Sequence, residues 1–183
     1  AQSMRDRITA VQRMLADGDA AGAMVLIEES FLAVSASSQE LGELHSLRGD
    51  CHYASRRMDD AMDSYSEAVK LDETNYAGYR GLGYIAWHSH SNEDALTFFR
   101  RALSIKSDDP ETMLGIGLVY RRLGLNEEAL FWLERCVASD RPPRNAFAAL
   151  AQTCNECTMP ENGIDVLTRV IDERGAALCD VNE

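Results

Sequence analysis

The residues with most chemical potential are Cys154 and Cys157, a C-x-x-C pair, and two glycine strings, Gly81-Leu82-Gly83-Tyr84-Ile85-Ala86 and Gly115-Ile116-Gly117. A redox dithiol needs a helix N-terminus to hold its thiolate. A zinc site needs two further ligands at local spacing. The pair falls late in an expected helix, and His45, His52, His88 and His90 are scattered elsewhere. Small buried hydrophobes are the better reading of these thiols. The glycine strings resemble G-x-G-x-x-A, which cradles a pyrophosphate only where a strand turns into a helix. Both lie inside expected helices, where the backbone N–H groups are already bonded, so close packing explains them. The acid pairs Asp59-Asp60, Glu93-Asp94 and Glu127-Glu128 recur at helix starts, where they complement the macrodipole. No nucleophile, base and acid stand together, so the reading is non-catalytic, with no cofactor and no metal.

The elements that must position any site follow from a repeat. Gly49, Gly83, Gly117 and Ala151 form a column with a spacing of 34 residues. Ala61, Ala95, Ala129 and Gly163 form a second, and Tyr65, Phe99, Leu133 and Leu167 a third. Ala68, Ala102, Cys136 and Val170 form a fourth. Small residues at fixed offsets let two helices approach, and the large column fills the gap between neighbours. First helices are expected near 42–55, 76–89, 110–123 and 144–157, and second helices near 59–71, 93–106, 127–139 and 160–173. Asn92 and Asn126 read as N-caps, Pro110 and Pro160 as first helical residues, and Gly124 as a helix end. Pro142-Pro143 separates two units. A weaker N-terminal pair runs from Ile8 to Ala16 and from Ala20 to Val34, turning at Asp17-Gly18-Asp19. It comes into register if the Ser-rich stretch Ser35–Gln39 holds a four-residue insertion.

On these columns, and on GYRGLGYIAWHSHSNEDALTFFRRALSIK and MLGIGLVYRRLGLNEEALFWLERCV, the chain resembles the tetratricopeptide repeat (TPR) family. The resemblance implies an all-α fold, a right-handed α-solenoid of about five stacked helix-turn-helix units. As one array over residues 4–177, the units are 4–37, 42–75, 76–109, 110–143 and 144–177, with 178–183 as a tail. That tail is too short for a full capping helix of the kind that ends such arrays, so the expectation there is either truncation or a partner contact. Ala1-Gln2-Ser3 ahead of Met4 reads as a remnant of expression tagging.

Composition narrows the partners. The formal charge is −12, from 18 basic and 30 acidic residues. That disfavours nucleic acid, whose phosphates need clustered Lys and Arg, and an anionic membrane surface. No apolar run reaches the ~20 residues that span a bilayer. Five Cys without framework spacing point to reduced thiols and a cytoplasmic setting.

The resemblance places the first helices on a concave face, and helical spacing selects the residues presented there. They are Tyr53 (with Ser46 and Asp50) from the first of these helices, and Arg80, Tyr84, Trp87 and His88 from the next. Leu114, Leu118, Arg121 and Arg122 follow, then Gln152 and Asn155 (with Ala148). Arg and large aromatics are the side chains most often found as binding anchors. The expected ligand is a protein segment with apolar side chains and at least one acid, the acid held by Arg80 and Arg121. A chaperone-tail clamp, which in this family uses Asn and Lys, is disfavoured. Its Asn column here reads Asp50, Tyr84, Leu118 and Gln152. The leading function is a protein-interaction scaffold. The alternatives are a substrate-selecting segment of a larger enzyme such as a glycosyltransferase, and a secretion chaperone. Self-association through solenoid ends is open.

Overall fold

The computed structural model describes residues 3–32 and 36–157, together with 168, 169 and 172. Among them are nine α-helices and no strand. They are α1 (Met4–Ala16), α2 (Ala20–Phe31), α3 (Ser38–Ala54), α4 (Met58–Leu71), α5 (Tyr76–His88), α6 (Asn92–Ile105), α7 (Pro110–Arg122), α8 (Asn126–Val137) and α9 (Ala146–Glu156). Apart from residues 168, 169 and 172, which are helical, the expected second helix near 160–173, with Pro160 at its start, lies outside the described residues, as do the tail with Cys179, Val34 and Ser35.

The chain divides into two compact units, Ala1–Ser107 and Asp108–Glu183. In the first, α1 packs on α2, α3 on α4 and α5 on α6, and α3 touches both α1 and α5. Its core begins with Met4, Ile8, Val11, Ala23, Ile27, Leu44, Leu47 and Cys51. It continues with Ala61, Tyr65, Leu82 and Ile85. In the second unit α7 packs on α8, and α9 lies against both. Here Ala129, Leu133, Cys136, Leu150 and Thr153 are buried.

The small columns serve close approach. A Cβ on Gly83 would come within 2.5 Å of the Phe99 ring, and one on Gly117 within 2.7 Å of Leu133. The first column therefore receives the third in these hairpins, as it does at Gly49 and Tyr65, and Ala61, Ala95 and Ala129 are fully buried beside it.

Helix starts differ from the sequence expectation. Asn92 and Asn126 are the first residues of α6 and α8, not caps; the cap positions are Ser91 and Leu125, and neither makes a side-chain cap bond. The reason is the preceding turn, which has the left-handed residues Arg56 (φ 61°), His90 (φ 60°) and Gly124 (φ 73°) at the repeat spacing. That turn brings the chain directly into the helix, and the acid pairs at the start of α4, α6 and α8 face its dipole instead. The Ser-rich stretch is not wholly a linker. Ser37 caps α3 in a reciprocal box with Glu40, so Ser38 and Gln39 are already helical.

Candidate functional site

In the first unit the first helices α1, α3 and α5 enclose a cleft of about 380 Å³. Arg5 and Gln12 come from α1, Glu43 and Asp50 from α3, and Tyr76 and Arg80 from α5. The turn before α5 completes the wall with Asp72, Thr74 and Asn75.

That turn is tied down by local bonds. Asp72 Oδ1 accepts from the Thr74 N–H at 2.9 Å and from its hydroxyl at 2.6 Å. Asn75 Oδ1 accepts from the Gly78 N–H at 2.8 Å, capping α5. The same oxygen accepts from the Ser46 hydroxyl of α3 at 2.8 Å, in a buried position. One amide oxygen thus caps α5 and fixes it to α3. Ser46 is only 3% exposed. Its hydroxyl is taken up by this internal bond, on a residue that lines the cleft. Across the cleft Arg5 and Glu43 pair at 2.6 Å. Such a solvated pair contributes under about 1 kcal/mol.

Asp50 is held from behind. Tyr65, on α4, reaches through the glycine column and donates its hydroxyl to Asp50 Oδ1 at 2.7 Å. Burial, then the Asp50 carboxylate, pushes the phenol far above its ordinary range. The hydroxyl consequently stays protonated and keeps donating, and it fixes the carboxylate on the cleft wall.

One turn further along, the predicted aromatics form a packed group. Tyr53 Oη lies 2.7 Å from His88 Nε2. The Tyr53 ring is 6.3 Å from Tyr84, and Tyr84 meets Phe99 of α6 edge-on at 5.1 Å. Trp87 meets His88 edge-on at 4.8 Å. Tyr53, Tyr84 and Trp87 are half-buried and His88 is exposed. Burial raises the Tyr53 phenol as well. The rings thus knit α3, α5 and α6 while showing one edge to solvent. Arg80 stands over the Tyr76 ring at 5.8 Å, and Lys106 over the same ring at 4.7 Å.

In the second unit the structure brings Arg121 and Gln152 together, with Arg121 Nη1 donating to Gln152 Oε1 at 2.8 Å. Leu118 and Arg122 are half-buried, and burial lowers the Arg122 guanidinium. Asn155 is exposed. Leu114 departs from expectation: at 2% exposure it is core. The α7 helix buries Thr112, Met113, Leu114, Gly115, Ile116, Gly117 and Val119, which is nearly its whole circumference.

Sequence reasoning missed the α1 and turn residues of the cleft. The insertion between the first two hairpins hid the register of α1, although Asp72 and Asn75 are ordinary turn and cap residues that could have been placed. It also missed a group on α8, where Arg135 stands over Phe131 at 5.6 Å and Trp132 at 5.2 Å.

Cys51, Cys136 and Cys154 are buried packing groups. Burial pushes the Cys51 thiol up to about 11 and Cys136 to about 12. Cys154 is also raised by burial, the opposite of an activated dithiol. Among the described residues no group of three or more His, Cys, Asp and Glu could hold a metal ion. Nor is any helix among them long and apolar enough to cross a membrane.

Family models described as tetratricopeptide repeat match residues 64–110 and residues 42–75 and 110–142. Anaphase-promoting complex subunit 3 of Schizosaccharomyces pombe is 25% identical over 96 residues, 52% of this chain. The chain spans only 14% of the length of that relative. Among solved structures, the thermophilic TPR protein TTC0263 of Thermus thermophilus superposes with a TM-score of 0.73 at 17% identity, covering 93% of this chain and 91% of that one. The APC/C hetero-tetramer Cut9-Hcn1 gives 0.78 at 16% identity, covering 93% of this chain and 34% of that one. Likeness at such identity shows the fold.

Proposed function

The chain belongs to the tetratricopeptide repeat family, and from that premise we propose that it is a non-catalytic scaffold whose first helices hold a segment of a partner protein. The observation that carries this reading is the cleft of about 380 Å³ walled by α1, α3 and α5. Its walls combine a half-buried Arg80, the Tyr76 ring and a carboxylate fixed by Tyr65, on rigid helices rather than on loops. Such a surface suits a peptide with apolar side chains and an acid, the acid meeting Arg80 in a charge-assisted bond. Tyr53, Tyr84 and Trp87 offer the apolar edge beside it. On the second unit Arg121, oriented by Gln152, and the half-buried Leu118 offer a similar combination.

The test is capture from native lysate with mass spectrometry, comparing the full chain with Arg80→Glu and Arg121→Glu variants of unchanged melting temperature. A partner retained by the wild type and lost by either variant supports the reading. A partner retained equally by all three sinks it, because the first helices would then not be the binding face.

A further inference from the structure

One guanidinium fastens three helices of the first unit. Arg48, on α3, places Nη1 3.8 Å from Glu28 Oε1 on α2. The same guanidinium stands over the Phe31 ring of α2 at 5.1 Å. Its Nε donates to the Ser64 hydroxyl of α4 at 3.3 Å. Its Nη2 lies 3.1 Å from His45 Nδ1, one turn back on α3. The His45 ring in turn packs on Phe31, with the centroids 4.7 Å apart. None of these residues lines the cleft.

The contact with Arg48 fixes the state of the imidazole. A guanidinium has five N–H donors and no acceptor. His45 Nδ1 must therefore accept, and the proton of the neutral ring sits on Nε2. A second proton would make Nδ1 a donor facing another donor at 3.1 Å. It would also set a cation beside a cation. The bond is then lost, and the guanidinium is pushed from the position in which it reaches α2 and α4.

Surrounding charges decide the balance. Those acting on His45 are Arg48 on α3, Glu67 on α4 and Glu28 on α2. The two carboxylates favour the imidazolium, but Glu67 is paired with Lys70 at 3.2 Å and Glu28 faces Arg48 itself. Burial, then Arg48, outweighs them and holds the ring below its ordinary 6.5. The helices α1 and α5 also pack on α3, and their cations Arg5 and Arg80 line the cleft.

We propose that His45 is a proton-operated latch: neutral, it orients Arg48 to fasten the α1–α2 hairpin to α3 and α4, and protonated, it releases that fastening. The α2 helix carries α1 with it, because the two pack on each other. In turn α1 supplies Arg5 and Gln12 to the cleft wall. Where the cleft holds a partner segment, as proposed for it, its grip therefore weakens on acidification below 6.5.

The test is hydrogen exchange of the full chain at about pH 7.5 and about pH 5, without any ligand and with rates corrected for intrinsic pH dependence. The expected result is a drop of about tenfold in protection across α1 and α2, the worth of one charge-assisted hydrogen bond, against less than about twofold in α5 and α6. His45→Gln keeps an acceptor for Arg48 and takes no second proton, so it should abolish the drop. Arg48→Met removes the latch, so α1 and α2 should be poorly protected at both pH values. His52→Gln, on the same helix, should leave the drop in place. Nitrogen chemical shifts of the His45 ring at about pH 7.5 should place its proton on Nε2. The proposal is overturned by a proton on Nδ1, by no drop in the wild type, or by a drop shared equally with α5 and α6. It is also overturned by a drop that survives in His45→Gln or Arg48→Met, or that His52→Gln removes. Binding plays no part in these readouts, so the latch can fail while the cleft still holds a partner, and the reverse.

Discussion

Gly49 lies against the ring of Tyr65 so closely that a Cβ on Gly49 would come within 2.5 Å of Tyr65 Cδ1. The same ring also bounds the space at Gly81 of the next hairpin. Tyr65 is thus seated between glycines of two successive first helices. Gly49→Ala is expected to destabilise by ~1–3 kcal/mol through overpacking, even though Ala is worth ~1 kcal/mol more than Gly inside a helix. Urea unfolding of the single variant checks this. A stability equal to or above wild type would show that the ring can move aside at little cost.

Ala95 and Ala129 are fully buried at equivalent positions of two hairpins. Leu at either site should destabilise by ~1–3 kcal/mol for the same reason. Unchanged melting of both variants would mean that the second column is not the close contact between helices.

The turns into α4, α6 and α8 pass through the left-handed region at Arg56, His90 and Gly124. Only glycine adopts that backbone without a Cβ penalty. Arg56→Gly and His90→Gly are therefore expected to stabilise by ~0.5–1 kcal/mol, and Gly124→Ala to destabilise by ~1 kcal/mol. Thermal melts of the three variants should shift in those opposite directions. A loss of stability in both glycine variants would show that chain entropy in the unfolded state outweighs the strain.

Two histidines set an acid limb. Burial first, then Arg48, lowers His45 from its ordinary 6.5, against opposing pulls from Glu67 and Glu28. Burial first, then Arg57, lowers His52, and its buried Nδ1 has no hydrogen-bond partner among the described residues. In the window below 6.5, down to the lowered native values, the unfolded chain binds more protons than the folded one. Stability is then full above 6.5 and falls on acidification through that window. The urea midpoint should drop between about pH 7.5 and about pH 5. His45→Gln/His52→Gln should flatten the drop. An equally steep drop in the double variant would assign the acid limb to other groups.

The hydroxyl of Tyr65 offers a separate measurement. Tyr65→Phe removes the bond to Asp50 and keeps the ring, so it should cost about 1 kcal/mol, the usual worth of one hydrogen bond. Melting at the wild-type temperature would show that water replaces the hydroxyl at Asp50 without loss.

Much of the fold was legible because packing at a fixed period leaves a mark on residue type. Gly83 and Phe99, or Gly117 and Leu133, sit in separate columns of the sequence and meet in the structure. What escaped notice has physical causes. Arg56 and His90 carry no glycine to announce their left-handed backbone, although Gly124, one repeat on, does. Asn92 and Asn126 looked like caps because they are good capping residues, yet the turn delivers them one position too late. Leu114 was placed on the presented face by spacing alone, while burial of α7 on almost every side decides otherwise. The cleft was half legible. Arg80 and Asp50 followed from helical spacing, but Arg5 and Gln12 depended on an α1 register hidden by the insertion.

Side-chain caps are unevenly distributed, and that sets an order of events. Ser3, Asp19, Ser37, Asn75 and Asp109 each bond the opening turn of α1, α2, α3, α5 and α7. The starts of α4, α6, α8 and α9 have no such bond and rely on their neighbours. When the molecule opens transiently, the amides at those four starts should exchange with solvent soonest, and proteases should find them first. The residues that wall the cleft ride on the helices that let go last. Damage or heat would thus loosen α4 and α6 while the cleft is still shaped to hold what it binds.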